Sequence, residues 1–433
     1  MAGAPDPVVY LMENNKAYPK NGSVAFLVLR PVSLLEADRW GVEHLNKLNI
    51  NTYFLDLTYL LNGESAALKI VNSVEKPIEH DNVFKIRSYG ELETVIKKLS
   101  KNTIFFDYIL GASPITIKTA KLFRILKKHK AKYTFVSDGA LPVLATRLGD
   151  NLFSAISICH LFNRVFEDPK KAFNFLINRI IRALSKHRLI FPVPYIIFAG
   201  NSPVVERYCV DRRLNKNIIV PINSHDFSVY REYLDTLDRY PEGDNATCVF
   251  LDEGLTHHSD FDILGIEPPN AKIYYSGMNT LFSSIERQTG LRVVIAAHPR
   301  AGYETFPNPF NGRDLVKGKT VELVANCQLV VMHMSTAVSY AILFNKPIMT
   351  IKIPGLNQNS ILNSQVETMA ISVGSDVVDA ENCPLIPIPI TQIINKNKQA
   401  EYKEKYLINK NAKNYSTWNI VASKIHEICA EGK

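Results

Sequence analysis

Short, uninterrupted apolar runs rich in β-branched residues recur along this chain and alternate with longer stretches of helical periodicity. That rhythm constrains the fold more than any other feature. The runs lie at Val24–Leu29, Asn51–Leu57, Thr103–Ile109, Lys132–Val136, Tyr195–Ala199 and Asn217–Pro221. They resume at Cys248–Leu251, Lys272–Tyr275, Arg292–Ala297, Leu329–His333 and Pro347–Ile351. A strand that is apolar on both faces is covered on both faces, which is the habit of parallel sheets. Strands that alternate with helices build βαβ units. The expectation is therefore an α/β protein with two doubly wound Rossmann-like domains facing a cleft. The chain's 433 residues also exceed what one core usually organises. The polar stretch Tyr230–Thr247, with Pro241 and Gly243, marks the break. Domains are expected at 1–240 and 247–390, with a helical segment, 391–433, packing back on the first.

Bulk properties narrow the function. No run approaches the ~18 apolar residues of a membrane-spanning helix. Met1–Tyr10 holds two prolines and no apolar signal core, so a cytoplasmic location is expected. The six cysteines are scattered without a CxxC pair, which argues for free thiols and against a zinc cluster. The net charge of +8 is either a solvated basic surface or a preference for anionic ligands or an anionic membrane. No aromatic–basic pattern of a nucleic-acid binder accompanies it. The segment Leu161–Leu189 mixes Phe, Ile and Leu with Lys and Arg at helical spacing. It reads as a core-facing helix pair or as a basic amphipathic surface for lipid.

The chemistry concentrates where strands end. In open α/β sheets, ligands bind beyond the carboxyl ends of the strands. Arg292–Ala297 runs into His298-Pro299-Arg300, where an imidazole could donate to or protonate a phosphate and Pro299 fixes the turn. Leu329–Met332 runs through His333 and Met334 into Ser335 and Thr336, good N-cap residues at the start of the next helix. A helix start offers N–H groups to an anion. If the two strands adjoin, His298 and Ser335–Thr336 converge on one phosphate. Cys248–Leu251 ends in Asp252-Glu253-Gly254, with carboxylates for a ribose or a proton and a glycine for close backbone approach. Lys132–Val136 ends in Ser137-Asp138-Gly139, where Asp138 either deprotonates an acceptor hydroxyl or caps a helix. Asp107 and Arg30-Pro31 are weaker candidates of the same kind. His257 and His258 are adjacent, so their side chains diverge and a paired metal site is not expected.

An acidic–Gly turn, then His-Pro, then Ser-Thr, in this order and at strand ends, resembles the bacterial sialyltransferase and polysialyltransferase group. The wider Kdo and nonulosonic-acid transferases of capsule and lipopolysaccharide synthesis are similar. The likeness covers mainly Cys248–Ile351, with Ser137–Gly139. It implies a GT-B fold, a CMP-activated acidic sugar as donor, a glycan or glycolipid acceptor and no metal or other cofactor. It gives His298, with Pro299, and Ser335–Thr336, with His333 beside them, to the donor phosphate. The base falls to Asp138 by position or to Asp252-Glu253-Gly254 by letters, since Ser137 replaces the first acid. Inverting transfer at the inner membrane face is expected. A transferase using UDP-, GDP- or ADP-sugar, or a non-catalytic glycan-assembly protein, stands as the alternative.

Overall fold

The computed structural model describes residues 22–72, 81–109, 116–138, 193–200, 203–211, 213–236, 246–256, 267–299, 301–305, 307–357, 360–381, 394–412 and 415–431, with a few isolated positions between them. Leu161–Leu189, apart from two single positions, and His257, His258, Gly139 and Arg300 lie outside the described residues. The described chain divides into two compact units. One comprises the described residues as far as Asn223, Pro142 excepted, together with those from Asn411 onward, and the other holds Pro142 and Ser224–Lys410.

The first unit is built on β1 (Ser23–Val28), β2 (Asn51–Asp56), β3 (Val83–Lys85), β4 (Thr103–Asp107) and β5 (Lys132–Thr134), in the sheet order β3-β2-β1-β4-β5. A second ladder of β6 (Val136–Ser137), β7 (Ile197–Ala199) and β8 (Ile219–Pro221) follows. Backbone bonds from Tyr195 to Tyr133 and from Phe198 to Phe135 join the two. Every residue of β1 is buried. Val24, Phe26 and Val28 enter one core, while Ala25 and Leu27 enter another on the opposite face. Period-two side-chain alternation thus feeds two helical layers, the physical reason for an apolar run without polar gaps.

The second unit holds β9 (Thr247–Leu251), β10 (Arg292–Ala297), β11 (Leu315–Lys317), β12 (Leu329–Met332), β13 (Ile348–Ile351) and β14 (Val377–Val378), in the order β11-β10-β9-β12-β13-β14. All ladders among these strands are parallel. Cys248 and Phe250 face one core, Val249 and Leu251 the other. The first strand lies inside the sheet and the order reverses at β9 and β12, which is the switch point of a doubly wound sheet.

Three expectations change. Lys272–Tyr275 is no strand: it is the first turn of the helix Ala271–Thr289, whose start is capped by the Asn270 side chain accepting from Ile273 N. The chain passes between units at Asn223–Ser224 rather than near residue 240. The helix His225–Thr236 belongs with the second unit because Phe227 enters its core and Tyr230 packs edge-on to Phe344. The segment from residue 391 also divides. Tyr402 and Leu407 are buried in the second unit's core, and only residues from Asn411 join the first unit. There the helix Thr417–Glu431 buries Val421, Ala422, Ile425 and Ile428. Trp418 Nε1 donates to Arg39 O at 2.9 Å. Gly41, at φ +60°, makes room for that indole, since a Cβ there would lie 2.2 Å from it. Among the described residues no helix is long and apolar enough to cross a membrane.

Candidate functional site

Because the second sheet is parallel, the turns after β9, β10 and β12 emerge on one edge. Asp252 follows β9 and is 4% exposed. Its Oδ1 accepts from Gly254 N at 3.1 Å, and its Oδ2 accepts from His298 N at 3.2 Å and from the Tyr303 hydroxyl at 2.9 Å. Burial raises its pKa while these three donors pull it down. Oδ1 shapes the β9 turn and Oδ2 ties it to the β10 turn, so Asp252 acts as a brace. Gly254 has φ +60°, and a Cβ there would lie 3.4 Å from Ala301 Cβ and 3.8 Å from His298 Cβ. The glycine thus allows the two turns to approach closely. His298 is half-buried, Pro299 is exposed in the turn, and the His298 carbonyl accepts from Ala301 N at 3.0 Å.

Glu253 turns the other way. Its Oε1 accepts the Met334 N–H at 2.8 Å, tying the β9 turn to the β12 turn. Part of its surface stays accessible, yet the groups packed around it desolvate the carboxyl. The Met334 bond only partly offsets this, and the pKa rises to about 8. At neutral pH the side chain therefore holds a proton.

His333 is 0% exposed. One ring nitrogen, Nδ1, lies 2.8 Å from Ile351 O, and the other, Nε2, lies 3.1 Å from the Tyr274 hydroxyl. A carbonyl only accepts, so Nδ1 carries the proton and Nε2 accepts from the tyrosine. Burial lowers its pKa to about 4. His333 supports the turn from beneath, with both ring nitrogens engaged by protein groups rather than turned to the sheet edge. The next helix begins at Val338 and not at Ser335. Ser335 Oγ instead accepts from Ala337 N at 3.3 Å, inside the turn, and Thr336 is exposed.

The strand order also corrects the expected convergence. β10 and β12 are not neighbours, for β9 lies between them. His298 and Ser335–Thr336 stand on opposite sides of the Asp252–Gly254 turn, with Glu253 bonded to the side that carries Ser335.

Several residues outside the short motifs complete this edge. Tyr303 holds Asp252, and the Tyr275 hydroxyl lies 2.6 Å from Thr256 Oγ1. Lys317, at the end of β11, donates to Ala301 O at 3.3 Å and Glu304 Oε1 at 3.1 Å. Nothing local in the sequence marks these side chains, since each acquires its role through a non-local contact. Among the described residues no group of three His, Cys, Asp or Glu side chains is placed to hold a metal ion.

In the first unit, Asp138 follows β6 and is half-buried. Burial first, and the Asp138 charge second, hold the Tyr108 phenol well above its ordinary pKa. Tyr108 packs on Trp40 with ring centroids 4.4 Å apart. Asp107 Oδ1 accepts from Ile109 N at 2.9 Å, and Arg30 pairs with Glu36.

The chain matches no protein-family model and no curated protein sequence. Among solved structures it is similar to a variant of the wall teichoic acid polymerase TagF, at 10% identity and a TM-score of 0.50, over 98% of this chain and 92% of that one. MnaA of S. aureus bound to UDP aligns at 11% identity and a TM-score of 0.45, over 93% and 95%. The UDP-GlcNAc 2-epimerase of Methanocaldococcus jannaschii, in complex with UDP-GlcNAc and UDP, aligns at 13% identity and 0.41, over 94% and 99%. The likeness to the polymerase is one of fold, and with the strand orders above it gives the architecture: an α/β chain of two Rossmann-like domains, of the GT-B type.

Proposed function

We propose that this chain transfers a group from a nucleotide-activated donor during the assembly of a surface glycan or related polymer. The observation that carries the reading is the order β10-β9-β12, which sets the His298 turn and the Ser335–Thr336 turn on either side of Glu253. Strands lie ~4.8 Å apart, so the two turns are separated by about 10 Å. One phosphate does not bridge that distance, whereas the two linked phosphates of a nucleoside diphosphate, with a hydrogen bond at each end, do. The donor favoured by this spacing is a UDP-, GDP- or ADP-activated sugar. The fold shared with a polymer-building enzyme supports the same class of reaction.

In this reading His298 stabilises charge growing on the leaving diphosphate. Protonated Glu253 accepts from Met334 through one oxygen and donates to the donor through the other. One such preorganised donor is worth ~3 kcal/mol to a transition state. Asp138 is the proposed base for the acceptor hydroxyl. A second reading, transfer of an acidic sugar from a CMP-activated donor, rests on the His298-Pro299 and Ser335-Thr336 motifs. Both readings keep the reaction metal-independent and place it at the inner membrane face, with an anionic acceptor suited to the net charge of +8.

Thermal shift with UDP, GDP, ADP and CMP tests the reading. A ligand at 100 times its Kd adds ~2.7 kcal/mol, and a diphosphate is expected to raise Tm more than CMP. A larger shift with CMP selects the second reading, and no shift with any nucleotide overturns both. Turnover of the stabilising donor in EDTA then separates a transferase from a binding protein.

A further inference from the structure

One face of the Ala271–Thr289 helix is buried through Tyr274, Met278, Leu281, Phe282 and Ile285. The opposite face lines an open groove of 760 Å³, whose far wall includes Pro309 and Asn311. Along the helical wall stand Lys272, Ser276, Ser283 and Arg287, at intervals of four, seven and four residues. At ~1.5 Å per residue the two cations bracket about 22 Å. Both are exposed, and neither has an ion-pair or hydrogen-bond partner among the described residues. Among the described residues no carboxylate lines the groove. The nearest in sequence, Glu286, is held by Arg313, whose Nη2 lies 2.7 Å from Oε2. Tyr275 lines the groove as well, and its hydroxyl reaches Thr256, two residues beyond Gly254. One end therefore opens beside the turn after β9.

The geometry points to a binding groove for an extended, polyhydroxylated anionic chain, an acidic glycan or a polyol phosphate. We propose that Lys272 and Arg287 hold its charges while Ser276, Ser283 and Asn311 bond its hydroxyls. The length suits an oligomer rather than one sugar. Among the described residues the groove offers a single half-buried aromatic ring, too little for the stacked bases of a nucleic acid. This site is separate from the donor edge and stands or falls independently of the donor reading.

The test uses the full chain and four end-labelled probes of matched length: α2,8-linked polysialic acid, poly(glycerol phosphate), neutral dextran and oligo(dT). Fluorescence anisotropy is expected to show at least one anionic polyol binding, with dextran and oligo(dT) clearly weaker. The better of the two anionic polyols identifies carboxylate or phosphate as the recognised group. The double variant Lys272→Ala/Arg287→Ala is expected to lose up to roughly tenfold in affinity, as for two exposed ion contacts. It should also bind with a shallower salt dependence, and its Tm and nucleotide-induced thermal shift should stay at wild-type values. Unchanged polyol affinity in the double variant overturns the proposal. So does dextran or oligo(dT) binding as tightly as the anionic polyols, or neither anionic polyol binding.

Discussion

Glu253 and Met334 are joined across the switch point of the second sheet, the carboxyl Oε1 accepting the backbone N–H at 2.8 Å. The bond links the turns after β9 and β12, the two strands where the sheet order reverses. It makes one ionisable group the hinge pin of the candidate donor edge.

The first expected outcome follows from that group's proton. The native carboxyl titrates at about 8, against 4.5 for an ordinary glutamate. The native state thus keeps a proton that the unfolded chain releases. This contribution to stability is fully present below 4.5 and is lost as pH rises through about 8. Glu253→Gln keeps the shape and cannot ionise. Thermal melts from about pH 5 to pH 9 should show wild-type Tm falling and the variant's falling less. Parallel curves would remove Glu253 as the source.

Asp252 braces the β9 and β10 turns, so its loss should register as instability before it registers in chemistry. Asp252→Asn leaves at least one of three buried donors without an acceptor, at ~1–3 kcal/mol. Tyr303→Phe removes only one of the donors to Asp252 and should cost less. The double variant should cost less than the sum, since the two residues share that bond. Urea unfolding of the four proteins measures the coupling, and strict additivity would break the assignment.

His333 titrates in the opposite sense. Its native pKa of about 4 lies below the ordinary 6.5, so the fold holds the neutral ring. That contribution is present above 6.5 and is lost as pH falls towards 4. His333→Phe leaves Ile351 O and the Tyr274 hydroxyl unpartnered, again at ~1–3 kcal/mol. It should also flatten the acid limb of the stability profile. Denaturant midpoints across the acid range check both effects.

Under the proposed transfer, the donor and acceptor residues should separate kinetically. His298→Ala is expected to lower turnover by roughly 10²–10⁴-fold. Ser335→Ala should weaken nucleotide binding modestly, because the backbone N–H groups of the turn remain. Asp138→Asn should remove turnover and leave the nucleotide-induced thermal shift in place. Near-normal turnover in His298→Ala would defeat the role given to that side chain.

Much of the architecture is legible in the chain itself. Strands such as β1 and β9 carry apolar residues at every position after the first because both faces meet a core. Their polar exits, at Asp252, His298 and Ser335, could be read directly. Four-residue runs were harder. Lys272–Tyr275 carries Ile and two tyrosines and imitates a strand. The Asn270 cap and the later Met278, Leu281, Phe282 and Ile285 reveal a helix over a longer window. β11 and β14, of three and two residues, are too short to leave a pattern.

Local sequence thus determined which segments become strands and which chemistry stands at their ends. It did so through short-range terms: apolar periodicity, caps and turn residues. Tertiary structure alone decided that β9 separates β10 from β12, that Asp252 spends both oxygens as a brace, and that His333 lies buried with both nitrogens engaged. The reason is physical. Burial, and the partner a polar group finds there, come from residues tens of positions away in the chain, and no local pattern encodes them.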